Sequence, residues 1–75
     1  MKTLIEYIAK SLVEDPTEVS VSEHRRGRNV RLELSVADED MGRVIGRNGR
    51  VANAMRSLLR VSAAGEDARV TLDII

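Results

Sequence analysis

The chain has 75 residues, no cysteine, and twelve basic residues balanced by twelve acidic ones, so its formal net charge is zero. This length predicts a single domain over residues 1–75, and the lack of cysteine argues against a disulfide-stapled secreted module. No apolar run is long enough for a membrane span or a signal sequence, so we expect a cytoplasmic protein.

The first predicted element is an amphipathic helix that runs from Lys2 to about Val13. Asp15-Pro16 is expected to end it, because proline lacks the N–H donor and disfavours a helical conformation in the residue before it. The apolar residues recur at helical spacing and predict one buried stripe. The stripe consists of Leu4, Ile5, Ile8, Ala9, Leu12 and Val13.

Two stretches in which apolar and polar residues alternate predict half-buried strands, over residues 18–23 and 30–36. Residues 24–29 lie between them and predict a hairpin loop, in which Gly27 and Asn29 are able to adopt a positive φ. The loop also carries three cations, which are Arg25, Arg26 and Arg28. We therefore expect a basic surface at the tip of this hairpin.

Three consecutive acidic residues, 38–40, precede a short helix that we expect to end at Gly46. At a strand-to-helix junction such residues are more often an N-cap with favourable first-turn charge than a magnesium site, so we adopt the capping interpretation. Gly42 lies inside this helix, where glycine costs about 1 kcal/mol relative to alanine. That cost predicts a close contact at Gly42.

Residues 46–49, Gly-Arg-Asn-Gly, predict a tight turn between two helices. The two glycines let the backbone approach a partner closely. The free N–H groups and positive dipole end of the following helix favour an anion, for which a nucleic-acid phosphate is the natural candidate. The Gly-x-x-Gly pattern alone is weak evidence, because many connections between helices contain it.

After the turn, the sequence predicts a longer helix that ends near residues 64–65 and then a strand over residues 68–74. The buried stripe of the helix is predicted to be Val51, Ala54, Met55, Leu58 and Leu59, and Asn53, Arg56 and Arg60 mark its polar side.

Positive charge is concentrated around the turn. Residues 1–24 contain five acidic residues against two lysines, and residues 66–75 contain three against one arginine, whereas residues 41–65 contain five arginines and no acidic residue. A charged run is usually a solvated face, but arginine without lysine favours bidentate contacts with phosphate.

The predicted order of helix, strand, strand, helix, helix, strand is typical of an α+β fold in which three helices cover one face of a three-stranded sheet. This order, together with the turn, resembles a KH domain of the bacterial type II arrangement. Residues 42–51 are similar to the family's Val-Ile-Gly-x-x-Gly signature, and the short chain resembles the KhpA family of small bacterial KH proteins.

The resemblance implies that single-stranded RNA lies in a groove, with the Gly-x-x-Gly turn on one wall and the loop between the first two strands on the other. About four nucleotides would be held there. Bases would rest on aliphatic side chains, because Tyr7 is the only aromatic residue and no stacking platform is available. The RNA-binding residues implied are Arg43, Val44, Ile45, Gly46, Arg47, Asn48, Gly49 and Arg50 at the turn and Arg25, Arg26 and Arg28 at the loop.

The main functional hypothesis is a single-stranded RNA-binding protein that acts as an RNA chaperone or post-transcriptional regulator. The alternative is a protein-interaction or assembly domain that uses the same fold without binding RNA directly. An enzyme is not expected, because His24 is the only histidine and no nucleophile–base arrangement is visible. No metal or cofactor is expected. A weak single groove favours pairing with a second module, and the resemblance implies a homodimer or a complex with a KhpB-like KH protein.

Overall fold

The computed structural model describes all 75 residues and has the predicted order of elements. The helices and strands are α1 (Lys2–Leu12), β1 (Ser20–Arg26), β2 (Asn29–Ser35), α2 (Met41–Ile45), α3 (Arg50–Gly65) and β3 (Arg69–Ile74). Single 3₁₀ turns at Pro16–Glu18, Asp38–Asp40 and Arg47–Gly49 join them. The predicted α+β class and its type II order are therefore confirmed.

The sheet has the order β1-β2-β3, with β1 antiparallel and β3 parallel to β2. A parallel pair requires a long crossover, which α2 and α3 provide. The two ends of the sheet are therefore distinct. At the hairpin end, the Arg69 N–H donates to the Arg28 carbonyl over 2.8 Å. At the opposite end, Ser20 pairs with Ser35. Since α3 ends just before β3 begins at the hairpin end and runs antiparallel to β3, α3 begins at this opposite end.

All three helices pack on one face of the sheet and bury an aliphatic core. Full burial of one such side chain is worth about 1.5–3 kcal/mol. The core contains Ile5 and Ala9 of α1, Val44 of α2, Met55 and Leu59 of α3, Val21, Val30, Leu32, Leu34 and Leu72 of the strands, and Val36. The other face carries polar residues and is left uncovered. No helix has both the length and the apolar character needed to cross a bilayer.

The hairpin is shorter than the predicted loop of residues 24–29. Only Gly27 and Arg28 lie between the strands, and Arg25 and Arg26 are the last residues of β1. A glycine with a φ of +61° at the first central position is typical of a type II′ turn. Asn29, which could also have adopted a positive φ, does not. The apolar alternation ends at Val21, so pattern alone did not show that β1 continues to Arg26.

The capping interpretation of residues 38–40 is wrong for Asp40. No side chain caps α2. The Asp40 carboxylate is 1% exposed and accepts hydrogen bonds from the backbone N–H groups of Glu14 and Asp15, each over 3.1 Å. It therefore ties the end of α1 to the start of α2.

The close contact expected at Gly42 is also absent. A Cβ built at this position meets no atom within 4 Å, so the helical cost of glycine there is not explained by packing within the chain.

Candidate nucleic-acid interface

The turn formed by residues 46–49, called the GRNG turn below, depends on three residues with a positive φ. Gly46 and Gly49 each have a φ of +76°, and Asn48 has a φ of +58°. A Cβ on Gly46 would lie 2.6 Å from Val51 Cγ2 and 2.9 Å from the Val51 backbone nitrogen. Gly46 is therefore required by the packing of the turn against the first turn of α3, and its close approach to a partner remains a prediction.

The cations of the GRNG turn are free to meet a ligand. Arg47 and Arg50 are exposed and form no ion pair with any carboxylate. No side chain caps the start of α3, and its first turn contains no acidic residue. The Gly49 and Arg50 N–H groups donate to the Gly46 and Arg47 carbonyls. The positive end of the helix dipole therefore adds to the two arginines and favours an anion at this point.

Two of the residues expected to bind RNA at the turn, Val44 and Arg43, have other environments, and a third, Ile45, remains available. Val44 is fully buried in the core, so the expectation that it contacts a base is wrong. Ile45 is 37% exposed and can still offer an aliphatic surface. Arg43 is held by two carboxylates, Glu14 at 2.6 Å and Asp40 at 3.3 Å, and its guanidinium joins α2 to the end of α1.

The hairpin arginines do not form the second wall of a groove with the GRNG turn. Arg28 lies 3.5 Å from Asp67, in the connection that follows α3, whereas the turn precedes α3. A helix of 16 residues is about 24 Å long, so the two groups lie at opposite ends of the domain. The expected two-walled groove is therefore wrong, because the parallel pairing of β2 with β3 places the hairpin beside the C-terminus of α3.

A different groove leads away from the GRNG turn. Asn53, Arg56 and Arg60 lie at helical spacing along one side of α3, and we call them the α3 polar stripe. Arg56 and Arg60 lie next to the free edge of β3. Arg56 donates from Nε and Nη2 to the Leu72 carbonyl over 3.3 and 3.1 Å. The depression between Arg56, Arg60 and residues 70–73 has a volume of about 410 Å³.

The expected site residues did not include the α3 polar stripe. Its signals were present in the sequence, namely the spacing of three and four residues and the absence of acid between residues 41 and 65. What the sequence did not show is that the edge of β3 lies beside this face of α3. Gly49 connects the stripe to the turn, since a Cβ at Gly49 would lie 3.6 Å from Asn53 Nδ2.

Comparison with known proteins identifies the family. A family model described as KhpA/KhpB, KH domain matches residues 2–74. The chain belongs to this family. The GRNG turn lies inside the matched range, and so do the α3 polar stripe and all three strands, so the KhpA/KhpB KH domain accounts for the whole fold.

Curated relatives match over nearly their full lengths. The RNA-binding protein KhpA of Halalkalibacterium halodurans is 52% identical over all of this chain and 99% of the relative. The RNA-binding protein KhpA of Clostridium acetobutylicum is 52% identical over the full length of both chains. The RNA-binding protein KhpA of Treponema pallidum is 47% identical over 96% of this chain and 90% of the relative. No solved structure matches the chain.

The relatives are named for binding and not for catalysis, in agreement with the prediction that the chain is not an enzyme. The resemblance to a type II KH domain is confirmed by the family match and by the order of strands.

Proposed function

We propose that residues 1–75 act as a single KH domain that binds single-stranded RNA and serves as an RNA chaperone or post-transcriptional regulator. The observation that carries this proposal is the GRNG turn, where two unpaired arginines surround an uncapped start of α3. The relatives named RNA-binding protein KhpA support the same ligand. A phosphate at the turn would accept hydrogen bonds from backbone N–H groups and charge-assisted bonds from Arg47 and Arg50.

From the turn, the RNA would follow the groove between the α3 polar stripe and the free edge of β3. Arg60 has only one side-chain partner, the Ser57 hydroxyl at 3.2 Å, and is therefore free to meet a second phosphate. Ile45 offers an aliphatic surface beside the turn. The groove has no aromatic side chain for stacking, so we expect modest affinity and little sequence preference.

Replacing Arg60 by glutamine should weaken RNA binding and lower its salt dependence. Loss of one phosphate contact reduces the log–log salt slope for a single strand by about 0.7. Fluorescence anisotropy with a labelled oligouridine across a range of salt concentrations measures both quantities. Lys10→Gln removes the same charge from an exposed position on α1 and is the matched control.

An equal effect of Arg60→Gln and Lys10→Gln would contradict the proposed path of the RNA. If neither variant nor the unmodified chain binds RNA, the alternative of a protein-interaction or assembly domain gains support, since such a domain needs no phosphate contact.

A second KH module, either another copy of this chain or a KhpB-like protein, is proposed to bind beside the first. A second groove at high local concentration would compensate for the weak binding of one. The surface available for this contact is on α3, opposite its buried side, where Leu58 is 49% and Val61 75% exposed. The prediction that Ala54 and Leu58 belong to the buried stripe is therefore wrong, since the buried residues of α3 are Ala52, Met55, Leu59 and Ala63. Ala54 precedes Leu58 and Val61 on the same face, four and seven residues earlier along the helix. Exposed apolar residues at this spacing are typical of a helix that packs on a partner.

Replacing Val61 by aspartate should convert the assembled form into a monomer, because the carboxylate would be buried against an apolar partner. Light scattering across micromolar concentrations measures the mass. Thr3→Asp makes the same change in charge at an exposed position on α1 and should leave the mass unchanged. An unmodified chain that is a strict monomer and yet binds short RNA tightly would contradict the pairing proposal.

A further inference from the structure

The face of the sheet that the helices leave uncovered has a cationic end. Arg26 and Arg69 flank Asn29 in one row across the three strands, and Arg31 lies one same-face step further along β2. We call Arg26, Arg31 and Arg69 the sheet-face cluster. Neighbouring strands are about 4.8 Å apart and same-face residues about 6.7 Å apart along a strand, so the three Cα atoms lie within roughly 10 Å of one another.

None of these three arginines is neutralised within the chain. All are exposed, and none forms an ion pair. The nearby acids are already engaged, since Glu33 lies 2.7 Å from His24 and Asp67 pairs with Arg28. Like charges at neighbouring positions of a sheet repel each other, so an anion bound to the cluster would relieve a repulsion that the free protein carries.

The surface around the cluster is concave and almost free of apolar groups. The depression there has a volume of about 680 Å³, and of the eight residues that line it none is acidic and only Val30 is apolar. Val30 is 2% exposed. Protein partners usually require an aromatic or apolar anchor at the centre of an interface, and this surface offers none. A polyanion without such an anchor suits it better.

A continuous path connects the cluster to the groove beside α3. Arg60 lines both the groove at the edge of β3 and the next depression along that edge. Arg69 and Thr71 line this second depression and also the concave surface of the cluster. A strand that leaves the groove beyond Arg60 therefore passes around the first residues of β3 and reaches the open face.

We propose that the sheet-face cluster binds a second segment of RNA phosphodiester backbone, continuous with the segment held at the GRNG turn. The inference rests on the proposed function, because the turn supplies the first segment. Guanidinium groups bind phosphate oxygens in a bidentate manner. With no aromatic residue on this face, contacts of this kind position the backbone and do not read the bases. The domain would thus bind a long RNA more tightly than a short one.

The test compares three proteins, each with a 4-nucleotide and a 16-nucleotide oligouridine. They are the unmodified chain, Arg31→Gln/Arg69→Gln, and the charge-matched control Lys2→Gln/Lys10→Gln. For the 16-mer, we expect the arginine variant to lose roughly tenfold in affinity and about 1.4 from the log–log salt slope, the sum of two single-strand phosphate contacts. The 4-mer should bind all three proteins within about twofold. Thermal melting of each protein checks that it is folded.

Amide chemical shifts locate the contacts and separate the outcomes. Shifts at the GRNG turn with both RNAs, and at the cluster with the 16-mer only, would support the inference. An arginine variant that binds the 16-mer as the lysine control does would overturn it and leave the proposed function intact. Binding of a deca-glutamate peptide to the cluster in preference to RNA would overturn it in favour of a protein partner. Shifts at the cluster without shifts at the turn would support the cluster and overturn the proposed function.

Discussion

Replacing Arg47 and Asn48 together by aspartate should abolish the binding of short RNA, with a loss of at least about a hundredfold in affinity. The change takes the local charge from +1 to −2 and places two carboxylates where the amides of the GRNG turn and the start of α3 would receive a phosphate. Both residues are exposed, and aspartate tolerates the left-handed conformation of Asn48. The free energy of unfolding should therefore change by less than about 1 kcal/mol.

The matched control for this variant is Lys2→Asp/Thr3→Asp. It changes the total charge equally, at two exposed residues in the first turn of α1, where acidic side chains favour a helix. Fluorescence anisotropy with an unstructured 4-nucleotide RNA, together with thermal melting, distinguishes the results. A folded turn variant that binds RNA like the control would refute the turn as the binding site. If the turn variant unfolds, a milder pair, Arg47→Gln/Asn48→Gly, keeps the question testable.

The sequence was sufficient to predict the order of the elements, because most of them carry a local signal, although the end of β1 was missed. The stripe of α1 and the alternation of β2 and β3 follow from hydrophobic periodicity, and Gly46 ends α2 as predicted. The GRNG turn was also predictable, since the conformation of a glycine-rich turn is set by its own residues.

Contacts between residues that are far apart in the chain could not be predicted from the sequence. The position of Asp40 before a helix predicts an N-cap, but its carboxylate accepts hydrogen bonds from the amides of residues 14 and 15, more than twenty positions away in the chain. The hairpin arginines and the turn are all basic, and composition alone does not show that α3 separates them. Val44 matches the family signature, yet its side chain is buried in the hydrophobic core. Tertiary contacts decided each of these roles.

Local reasoning also failed to distinguish two glycines, one inside α2 and one at its C-terminus. Gly42 and Gly46 are four residues apart, and pattern alone predicted a close approach at both. The structure ranks them clearly, because a Cβ on Gly42 meets open space and a Cβ on Gly46 meets both the side chain and the backbone of Val51. Alanine substitutions at the two sites should therefore have opposite effects on stability.

Replacing Gly46 by alanine should destabilise the domain by roughly 3–5 kcal/mol, the sum of backbone strain and overpacking. Its φ of +76° and ψ of 170° lie in a region that only glycine adopts readily. The Val51 nitrogen at 2.9 Å belongs to the first turn of α3 and moves only if that helix moves. Because a domain of this size has a total stability of about 4–11 kcal/mol, we expect a large part of the variant to be unfolded at 37 °C.

Replacing Gly42 by alanine is the matched control, and it should stabilise the domain by about 0.5–1 kcal/mol, since alanine is the better helix former and nothing obstructs its methyl group. Urea unfolding followed by far-UV circular dichroism measures both variants. A Gly46→Ala variant within 1 kcal/mol of the unmodified chain would show that the start of α3 yields to a methyl group. The turn would then be mobile enough to adjust to its ligand, and the preformed anion site at α3 would have to be abandoned in favour of one that forms on binding.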